Sequence, residues 1–453
     1  ARGKIIYGNA SGVTSLLSPG SNGTVLTSDG TDISWAASGG GGSVSWQTGS
    51  IKTSTFTAAN GEGYFANTSG GAFTMNLPAG VVGNIVSVVD YTNTFQTNNL
   101  TIAANGSEKI GGDANDAVIK TEGQSVTLIY VDSTEGWKQV QGTTNNVTGL
   151  APFIIASGGN ATLTCGNFKT HVFTSPGNFV VSCAGGASGS DKLDYLVIAG
   201  GAGGGGDGGG GGGAGGFRLA NSYSISAPTM SPLANPTAVT ASAQTYPIVV
   251  GGGGTAGTYS PSVQGGDGSF SSGLGLTSAG GGGGGRGAPG CAGTAGGSGG
   301  GGTRGVAGGA GNTPPVSPPQ GNPGGNGPTP NGDGGGGAGG AGLGSAPSIG
   351  GVGGIGSFVS NTFLGPTAPS YGETGPVSST RIFAGGGGGG GDQSPSSGAV
   401  GGVGGGGDGG NRPNSTPGSA GVTNTGSGGG GSGVPGNAGA GGSGIVMIRY
   451  KFQ

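Results

Sequence analysis

The sequence predicts an all-β protein with almost no α-helix, in which β modules are followed by a glycine-rich domain of packed polyglycine II helices on a small β base. Short segments rich in Thr, Val, Ile and Tyr recur between Asn, Gly and Asp residues, which is the composition of strands and their turns. No segment shows the apolar period of an amphipathic helix. Most of the 124 glycines lie between Ala184 and Gly444, in runs that a conventional side-chain core would not contain.

The composition excludes several classes of function. Charged residues make up 7 % of the chain and the net charge is −3, so we expect no nucleic-acid partner and no binding to anionic lipid. No apolar run is long enough to cross a membrane, and we expect no membrane insertion. The three cysteines are too few for a disulfide framework. Cys165 and Cys183 flank a predicted hairpin and could pair, although two free thiols are favoured.

Residues 1–42 are predicted to form one segment that ends in a glycine linker at 39–42. Short β-like pieces at 4–7, 24–27 and 33–35 are separated by glycine-containing turns. Such a segment is too short to fold alone. We therefore expect it to pair with copies of itself or with what precedes it.

Residues 43–142 form the most conventional part of the chain, and we expect an all-β module there. Turn residues separate its strand candidates at intervals of about 8–12 residues. Two of the candidates partly alternate apolar with polar residues, as half-buried strands do. The candidates lie at residues 50–58, 63–67, 73–77, 85–90, 100–103, 117–121, 125–131 and 137–141.

Residues 143–453 are predicted to form the glycine-rich domain, with a β base at 150–199 and 444–452 and with polyglycine helices and loops at 200–443. Strand candidates at 194–199, 246–250 and 380–384 lead directly into glycine runs, and a glycine run leads into 444–452. Further candidates lie at 153–156, 161–165, 168–174 and 179–183.

The glycine runs allow two interpretations, a flexible linker or an ordered array. A linker needs no strand-like interruptions, and the apolar C-terminal strand needs partners about 250 residues upstream. The ordered alternative is an extended helix with three residues per turn and a rise of about 3.1 Å per residue. Without side chains, such helices can form hydrogen bonds with one another on several sides. Because only glycine allows that close approach in every direction, we favour packed helices.

Three sets of residues resemble parts of bacteriophage tail fibres, in particular those of marine phages. The opening residues 3–12, with 23–30 and 33–35, resemble the shaft repeats of tail fibres. Residues 46–47, 57–65 and 123–131 look like a β module common in fibres of marine phages. Residues 195–200, 246–251 and 442–450 are similar to the glycine-rich C-terminal domain of phage tail-fibre adhesins.

The resemblance implies a function as well as a fold. In tip adhesins of T-even-type phages, such runs form a sandwich of polyglycine II helices, and loops at its tip bind the host surface. By resemblance, this chain is the receptor-binding C-terminal part of a tail fibre, a homotrimer along its first 150 residues, located in the virion. The expected partners are a bacterial glycan or outer-membrane protein, further copies of the chain, and upstream tail-fibre or baseplate proteins. Those tip adhesins are separate small proteins, whereas here the glycine-rich domain follows fibre-like modules.

No catalytic site is predicted, and we expect that the chain is not an enzyme. GxGxxG matches within the glycine runs lack the βαβ context of a dinucleotide site. His171 is the only histidine and lies in a strand candidate, where a structural role is favoured. Glu108, Asp113, Asp116 and Glu122 lack the spacing of a calcium loop, so a solvated loop is favoured. We expect no metal and no cofactor.

The candidate receptor-binding residues lie where other residues interrupt the glycine runs, because binding residues concentrate in loops on a rigid scaffold. These interruptions are 312–331, 357–379, 392–397 and 411–425. An equally weighted alternative is that Phe358 and Phe363 plug the base of the domain. The candidates are Asn312, Gln320, Asn331, Phe358, Phe363, Tyr371, Asn411 and Arg412.

Three other functions are compatible with these patterns. A bacterial surface or matrix filament would use the same glycine helices for stiffness alone. A polysaccharide depolymerase is disfavoured, because no catalytic constellation is visible. Ice binding by flat faces of glycine helices is a more remote alternative.

Overall fold

The computed structural model describes residues 3–21, 24–28, 30–37, 44–142, 153–186, 189–226, 229–365, 370–375, 377, 379–412 and 414–453. The chain divides into two compact units, Ala1–Ala151 and Pro152–Gln453. The predicted linker at 39–42 and the predicted boundary at 143 lie outside the described residues. The described residues contain one α-helix, α1 (Asn361–Leu364), and strands β1 to β28. The prediction of an all-β protein with almost no α-helix is confirmed.

The first unit begins with two β-hairpins. β1 (Ile5–Gly8) pairs antiparallel with β2 (Thr14–Leu17), and β3 (Thr24–Ser28) pairs with β4 (Ile33–Ala37). The indole N–H of Trp35 donates a hydrogen bond of 2.7 Å to the carbonyl of Ser18 and so links the hairpins. Large apolar side chains of these hairpins are exposed to solvent, and Ile6 is 71 % exposed. Because hairpins of two strands are only marginally stable in water, these need further contacts.

Residues 44–142 form two sheets around one apolar core. The strands are β5 (Ser45–Trp46), β6 (Phe56–Thr57), β7 (Glu62–Ala66), β8 (Phe73–Asn76), β9 (Ile85–Asp90), β10 (Leu100–Ala103), β11 (Ala117–Ile119), β12 (Ser125–Asp132) and β13 (Gly136–Gly142). One sheet has the order β11–β10–β8–β6 and the other β13–β12–β9–β7–β5. Fully buried Trp137, Phe95 and Met75 lie between them.

The second unit has a β base that is larger than predicted, because strands within 200–443 also contribute to it. Its strands are β14 (Ile154–Ser157), β15 (Ala161–Cys165), β16 (Phe168–Phe173), β17 (Gly177–Ala184), β18 (Lys192–Ile198), β19 (Phe217–Ala220), β20 (Ala234–Asn235), β21 (Val239–Thr240), β22 (Thr245–Ile248), β23 (Ser271–Gly273), β24 (Leu276–Ser278), β25 (Ser357–Ser360), β26 (Glu373–Thr374), β27 (Thr380–Phe383) and β28 (Ile445–Lys451). The main sheet has the order β15–β16–β28–β18–β19–β20.

The C-terminal strand β28 is the centre of this base. It pairs antiparallel with both β16 and β18, which lie far upstream in sequence. Its side chains alternate between two apolar clusters, with Val446 and Ile448 on one face and Ile445 and Met447 on the other. This alternation is the two-residue period of a strand that is covered on both faces.

A buried ion pair also joins β28 to β18. Nη1 of Arg449 lies 3.8 Å from Oδ2 of Asp194, and both side chains are buried. The guanidinium lies over the ring of Phe168, 3.7 Å from its centroid. Burial raises the pKa of the Asp194 carboxyl and lowers the pKa of Arg449.

The glycine runs are ordered helices held by backbone hydrogen bonds. In helix 199–206, the N–H groups of Ala199, Ala202 and Gly205 all donate to helix 209–216. The residues one and two positions further along donate to two other segments, 263–269 and 439–442, with the same spacing of three. The carbonyl groups of the helix accept hydrogen bonds from three more segments, 254–257, 281–287 and 429–432. Bonding that repeats every third residue is what three residues per turn produce, so the predicted polyglycine II packing is confirmed.

Close approach of backbones explains why these helices are made of glycine. A Cβ atom on Gly205 would overlap the carbonyl oxygen of Gly285, and one on Gly212 would overlap the carbonyl oxygen of Ala202. Gly252 at the surface differs, because no atom lies within 4 Å of the place where its Cβ would be. The requirement for glycine therefore comes from contacts between helices.

The chain runs repeatedly away from the strands and back. After β18 it runs outward along 199–206, reverses at Asp207 and Gly208, and returns along 209–216 to β19. The second unit therefore has a base end at the strands and a distal end at the outer reversals. These outer reversals, which we call the distal turns, are 207–208, 258–263, 287–291, 304–305, 328–331, 346–349, 393–396, 414–416 and 434–437.

Candidate functional site

The distal turns are tied to one another although they come from separate parts of the chain. The backbone N–H of Tyr259 donates to Oδ1 of Asn437 at 3.1 Å. The hydroxyl of Thr303 donates to the carbonyl of Pro330 at 3.3 Å. Each turn is short and is anchored on both sides by a hydrogen-bonded helix. The distal end is therefore a surface of fixed turns.

Asp392 fixes two arginines at this surface. Its carboxylate lies 2.7 Å from Nη2 of Arg304, and its side chain is 7 % exposed. Its backbone carbonyl accepts a hydrogen bond from Nη1 of Arg412, and its backbone N–H donates to Oδ1 of Asn331 at 2.9 Å. Burial raises the pKa of the Asp392 carboxyl, and the charge of Arg304 acts in the opposite direction.

The exposed side chains of the distal turns are a mixture of proline and aliphatic residues with polar, uncharged ones, and Arg304 adds a positive charge. The polar side chains can donate and accept hydrogen bonds, and the prolines stiffen the turns that carry them. The half-buried Tyr259 adds an aromatic ring. The exposed residues include Ser260, Pro261, Arg304, Ser348, Gln393, Asn414 and Asn437.

Neither a metal centre nor a catalytic histidine is found in the described part of the chain. No group of three or more His, Cys, Asp or Glu side chains there could hold a metal ion. His171 is buried, its ring nitrogens lie 2.6 Å from the carbonyl oxygen of Gly158 and 3.0 Å from the hydroxyl of Tyr450, and burial lowers its pKa. It has the structural role favoured from the sequence. Over the described ranges, no helix has the length and apolar character needed to cross a membrane.

Comparison with known protein families accounts for the second unit. Residues 174–451, more than half of the chain, match the family described as a glycine-rich domain. The chain belongs to this family. A comparison with curated proteins gave no match. The matched range contains the distal turns and the strands of the base from β17 onwards, whereas β14, β15 and β16 precede it.

Two predicted site residues of the glycine-rich domain lie at its base end. Oδ1 of Asn312 accepts hydrogen bonds from the backbone N–H groups of Val316 and Gln320 and so shapes a base-end loop. The side chain of Gln320 is 1 % exposed and accepts a hydrogen bond from the N–H of Ala279 at 2.9 Å. The prediction that Gln320 binds a receptor is wrong, because its amide is used inside the fold. Asn312 does not reach the distal surface.

The predicted aromatic residues also lie at the base end. Phe363 is fully buried in an apolar cluster, and its carbonyl accepts a hydrogen bond from the hydroxyl of Thr170 on β16 at 3.2 Å. Phe358 and Tyr371 are only partly buried, and Tyr371 packs against the same cluster. The prediction that Phe363 binds a receptor is therefore wrong, and the alternative that it plugs the base is confirmed.

The other three predicted residues lie at the distal end of the glycine-rich domain. Arg412 is half-exposed beside Asp392. Oδ1 of Asn411 accepts a hydrogen bond of 2.8 Å from the N–H of Gly398. Asn331 is fully buried, because it bonds to the backbone of Asp392 and Ala346. Asn331 supports the surface from inside, so the prediction that it contacts a receptor is wrong.

Several distal residues with exposed or half-buried side chains were not among the predicted ones. The half-buried Tyr259 and the exposed Arg304 and Asn437 lie outside the four interruptions selected from the sequence, which are 312–331, 357–379, 392–397 and 411–425. The signal that could have found them is positional. Strands mark the base end, so the first reversal after an outward run from a strand lies at the distal end, whatever its length.

Proposed function

We propose that this chain is the receptor-binding C-terminal part of a phage tail fibre and that its distal turns attach the virion to the bacterial host. The observation that carries this proposal is the display of many short turns on one surface, several of them with exposed Ser, Asn or Gln side chains. The hydrogen-bonded glycine helices, which we call the lattice, hold these turns in place. Binding residues concentrate in loops that a rigid scaffold positions. Turns held in place before binding lose little entropy when they bind.

The proposed mechanism is multivalent adhesion to a surface glycan or an outer-membrane protein. Each distal surface makes weak contacts, and several copies raise the effective concentration of the remaining sites once one has bound. The apolar residues of the hairpins in residues 3–37 are exposed to solvent, and contact between copies would bury them. This supports self-association in a homotrimer along the first 150 residues. Upstream tail-fibre or baseplate proteins would carry this assembly in the virion, and no enzymatic step is needed.

The first test removes polar groups from the distal turns without touching the lattice. The triple variant Tyr259→Ala, Gln393→Ala and Asn414→Ala should bind host cells at least about tenfold more weakly, since each lost hydrogen bond is worth about 0.5–1.5 kcal/mol. Binding of labelled full-length protein is measured across a panel of bacteria that includes the host. Thermal unfolding should stay close to that of the unmodified protein.

The matched control is Thr277→Ala, an exposed residue of β24 at the base end. It should bind cells like the unmodified protein. Unchanged binding by the triple variant would contradict the proposal. Growth of long fibres without binding to any cell would favour a structural filament instead.

A further inference from the structure

One side of the glycine-rich domain carries a row of exposed aliphatic side chains. They stand on three neighbouring segments, 341–345, 349–356 and 397–403, which are joined by backbone hydrogen bonds such as Leu343 N–H to Val352 C=O at 2.9 Å. Five of them are between 42 and 61 % exposed, and the sixth, Val352, is half-exposed. We call this surface the aliphatic face, and its residues are Leu343, Ile349, Val352, Ile355, Val400 and Val403.

The side chains of the aliphatic face are regularly spaced. Ile349, Val352 and Ile355 are three residues apart, as are Val400 and Val403, so each helix presents its aliphatic residues on one side about 9 Å apart. The intervening residues of these helices are mostly glycines, which leave grooves. At its base end the face opens into an apolar pocket of about 470 Å³, lined by Ile355, Phe358, Ile382 and Val403 among others. The face therefore offers both ridges and hollows.

Its charge and backbone groups restrict what can cover it. No charged residue occurs in 341–358 or 397–407, so two like faces would not repel each other. The backbone N–H groups of Val352, Ile355, Val400 and Val403 have no acceptor among the described residues. If the acyl chains of a lipid membrane covered the face, these N–H donors would remain unpaired, at a cost of several kcal/mol each. A protein surface can supply acceptors.

The size of the face fits a weak contact. From Ile349 to Phe358 it is about 28 Å long. Three neighbouring segments about 5 Å apart give a width of roughly 15 Å, hence on the order of 400 Å² per copy. Two copies in contact would bury about 800–900 Å², which is typical of weak complexes. Such a contact becomes stable when another part of the chain already holds the copies together.

We propose that the aliphatic face packs against the aliphatic face of a neighbouring copy of this chain, so that glycine-rich domains associate laterally. A copy fits the face because it is uncharged in the same region and carries equal ridges and grooves. The inference rests on the proposed self-association through residues 1–142. It does not depend on adhesion to cells.

Cysteine cross-linking tests this contact in the full-length protein. In a background with Cys165→Ser, Cys183→Ser and Cys291→Ser, Val403→Cys should form covalent dimers with a short bismaleimide in up to two of the three copies of each trimer, because a contact between like faces joins copies in pairs. Adding Ile355→Ser and Val400→Ser should lower the yield at least about fivefold. Thermal unfolding should be unchanged, because these side chains are exposed.

The matched control is Phe270→Cys, which is 53 % exposed on a helix bonded to 199–206, on another side of the domain. It should cross-link little. No dimer from Val403→Cys, equal yields at both positions, or a monomeric full-length chain in sedimentation would each overturn the inference. Loss of cell binding with cross-linking intact would contradict the proposed function and leave this inference standing.

Discussion

The β module at 44–142 and the glycine helices of the second unit are both closely packed, but different atoms fill their interiors. In the module, large side chains such as Trp137 and Phe95 fill the space between two sheets, and burial of apolar surface stabilises the fold. In the glycine helices, backbones touch directly and one helix forms hydrogen bonds with six neighbouring segments. The stability of the module depends on its large buried side chains, whereas the packing of the glycine helices depends on the absence of side chains.

The difference implies opposite responses to mutation. A core built from side chains is damaged when atoms are removed, because a cavity remains. A lattice built from backbones is damaged when atoms are added, because the helices must move apart and lose hydrogen bonds. Removing a few atoms is therefore the damaging change in the module, whereas adding a few atoms is the damaging change in the glycine helices.

The largest effect is expected in the module, for Phe95→Ala. Phe95 is fully buried in the module core, so its truncation should lower the free energy of unfolding by about 3–5 kcal/mol. Hydrogen exchange within 44–142 measures the loss locally. The control Tyr91→Ala, at a side chain that is 51 % exposed, should cost about 0.5 kcal/mol or less. Similar losses for both variants would contradict a core held by side chains.

A slightly smaller effect is expected in the lattice, for Gly212→Ala. The added methyl group would overlap the carbonyl oxygen of Ala202, and overpacking of this kind costs about 1–3 kcal/mol. Faster exchange of the amides in 199–216 and a lower melting temperature are the measurements. A stable Gly212→Ala variant would contradict the packing described here.

Gly252→Ala is the matched control for that substitution. Its Cβ would meet no atom within 4 Å, and its φ lies outside the left-handed region. Alanine restricts the unfolded chain more than glycine does, so this variant should be neutral or more stable by up to about 0.5–1 kcal/mol. A comparable loss at both positions would mean that the lattice requires glycine for flexibility and not for close approach.

The sequence predicted the composition of each region better than the path of the chain. The sequence shows where strands border the glycine runs, because the change between β-branched residues and glycine is abrupt, as after Ile198 and before Ile445. The direction of each glycine helix is not visible. The run 295–302 reverses near Ser298, where the N–H of Gly300 bonds back to the carbonyl of Thr294, and no proline or charged residue marks the reversal.

The wrong predictions at the candidate site have the same cause, because the sequence does not show where the chain reverses direction. Asn312 and Gln320 are polar and close to prolines, which is typical of an exposed binding loop, but an unseen reversal places them at the base end. Phe363 belongs to the apolar cluster beneath the strands, and an aromatic residue in a loop gives no sign of which end it covers. Identifying the distal turns requires every reversal, and homogeneous glycine runs conceal some of them.

The smallest effect concerns a carboxyl that is buried among the glycine helices. Asp333 is fully buried, and Oδ1 accepts the N–H of Ser345 at 2.7 Å whereas Oδ2 has no partner among the described residues. Burial raises the pKa of Asp333 above its ordinary value of 3.8. The folded state therefore binds this proton more tightly than the unfolded state does, and stability is lost as pH rises through the raised pKa.

Asp333→Asn should therefore stabilise the lattice at neutral pH by about 1 kcal/mol, because the amide keeps the acceptor and carries no charge. The advantage should shrink as the pH falls through the raised pKa of Asp333, because the native carboxyl then becomes protonated. Melting temperatures of both proteins between pH 4 and pH 8 measure this. The control Asp408→Asn changes an exposed carboxyl that also accepts one backbone N–H, from Gly401 at 2.8 Å, and should give nearly parallel curves. A gap for Asp333→Asn that does not change with pH would mean that the lattice tolerates the charge, and that only the extra hydrogen-bond donor of the amide matters.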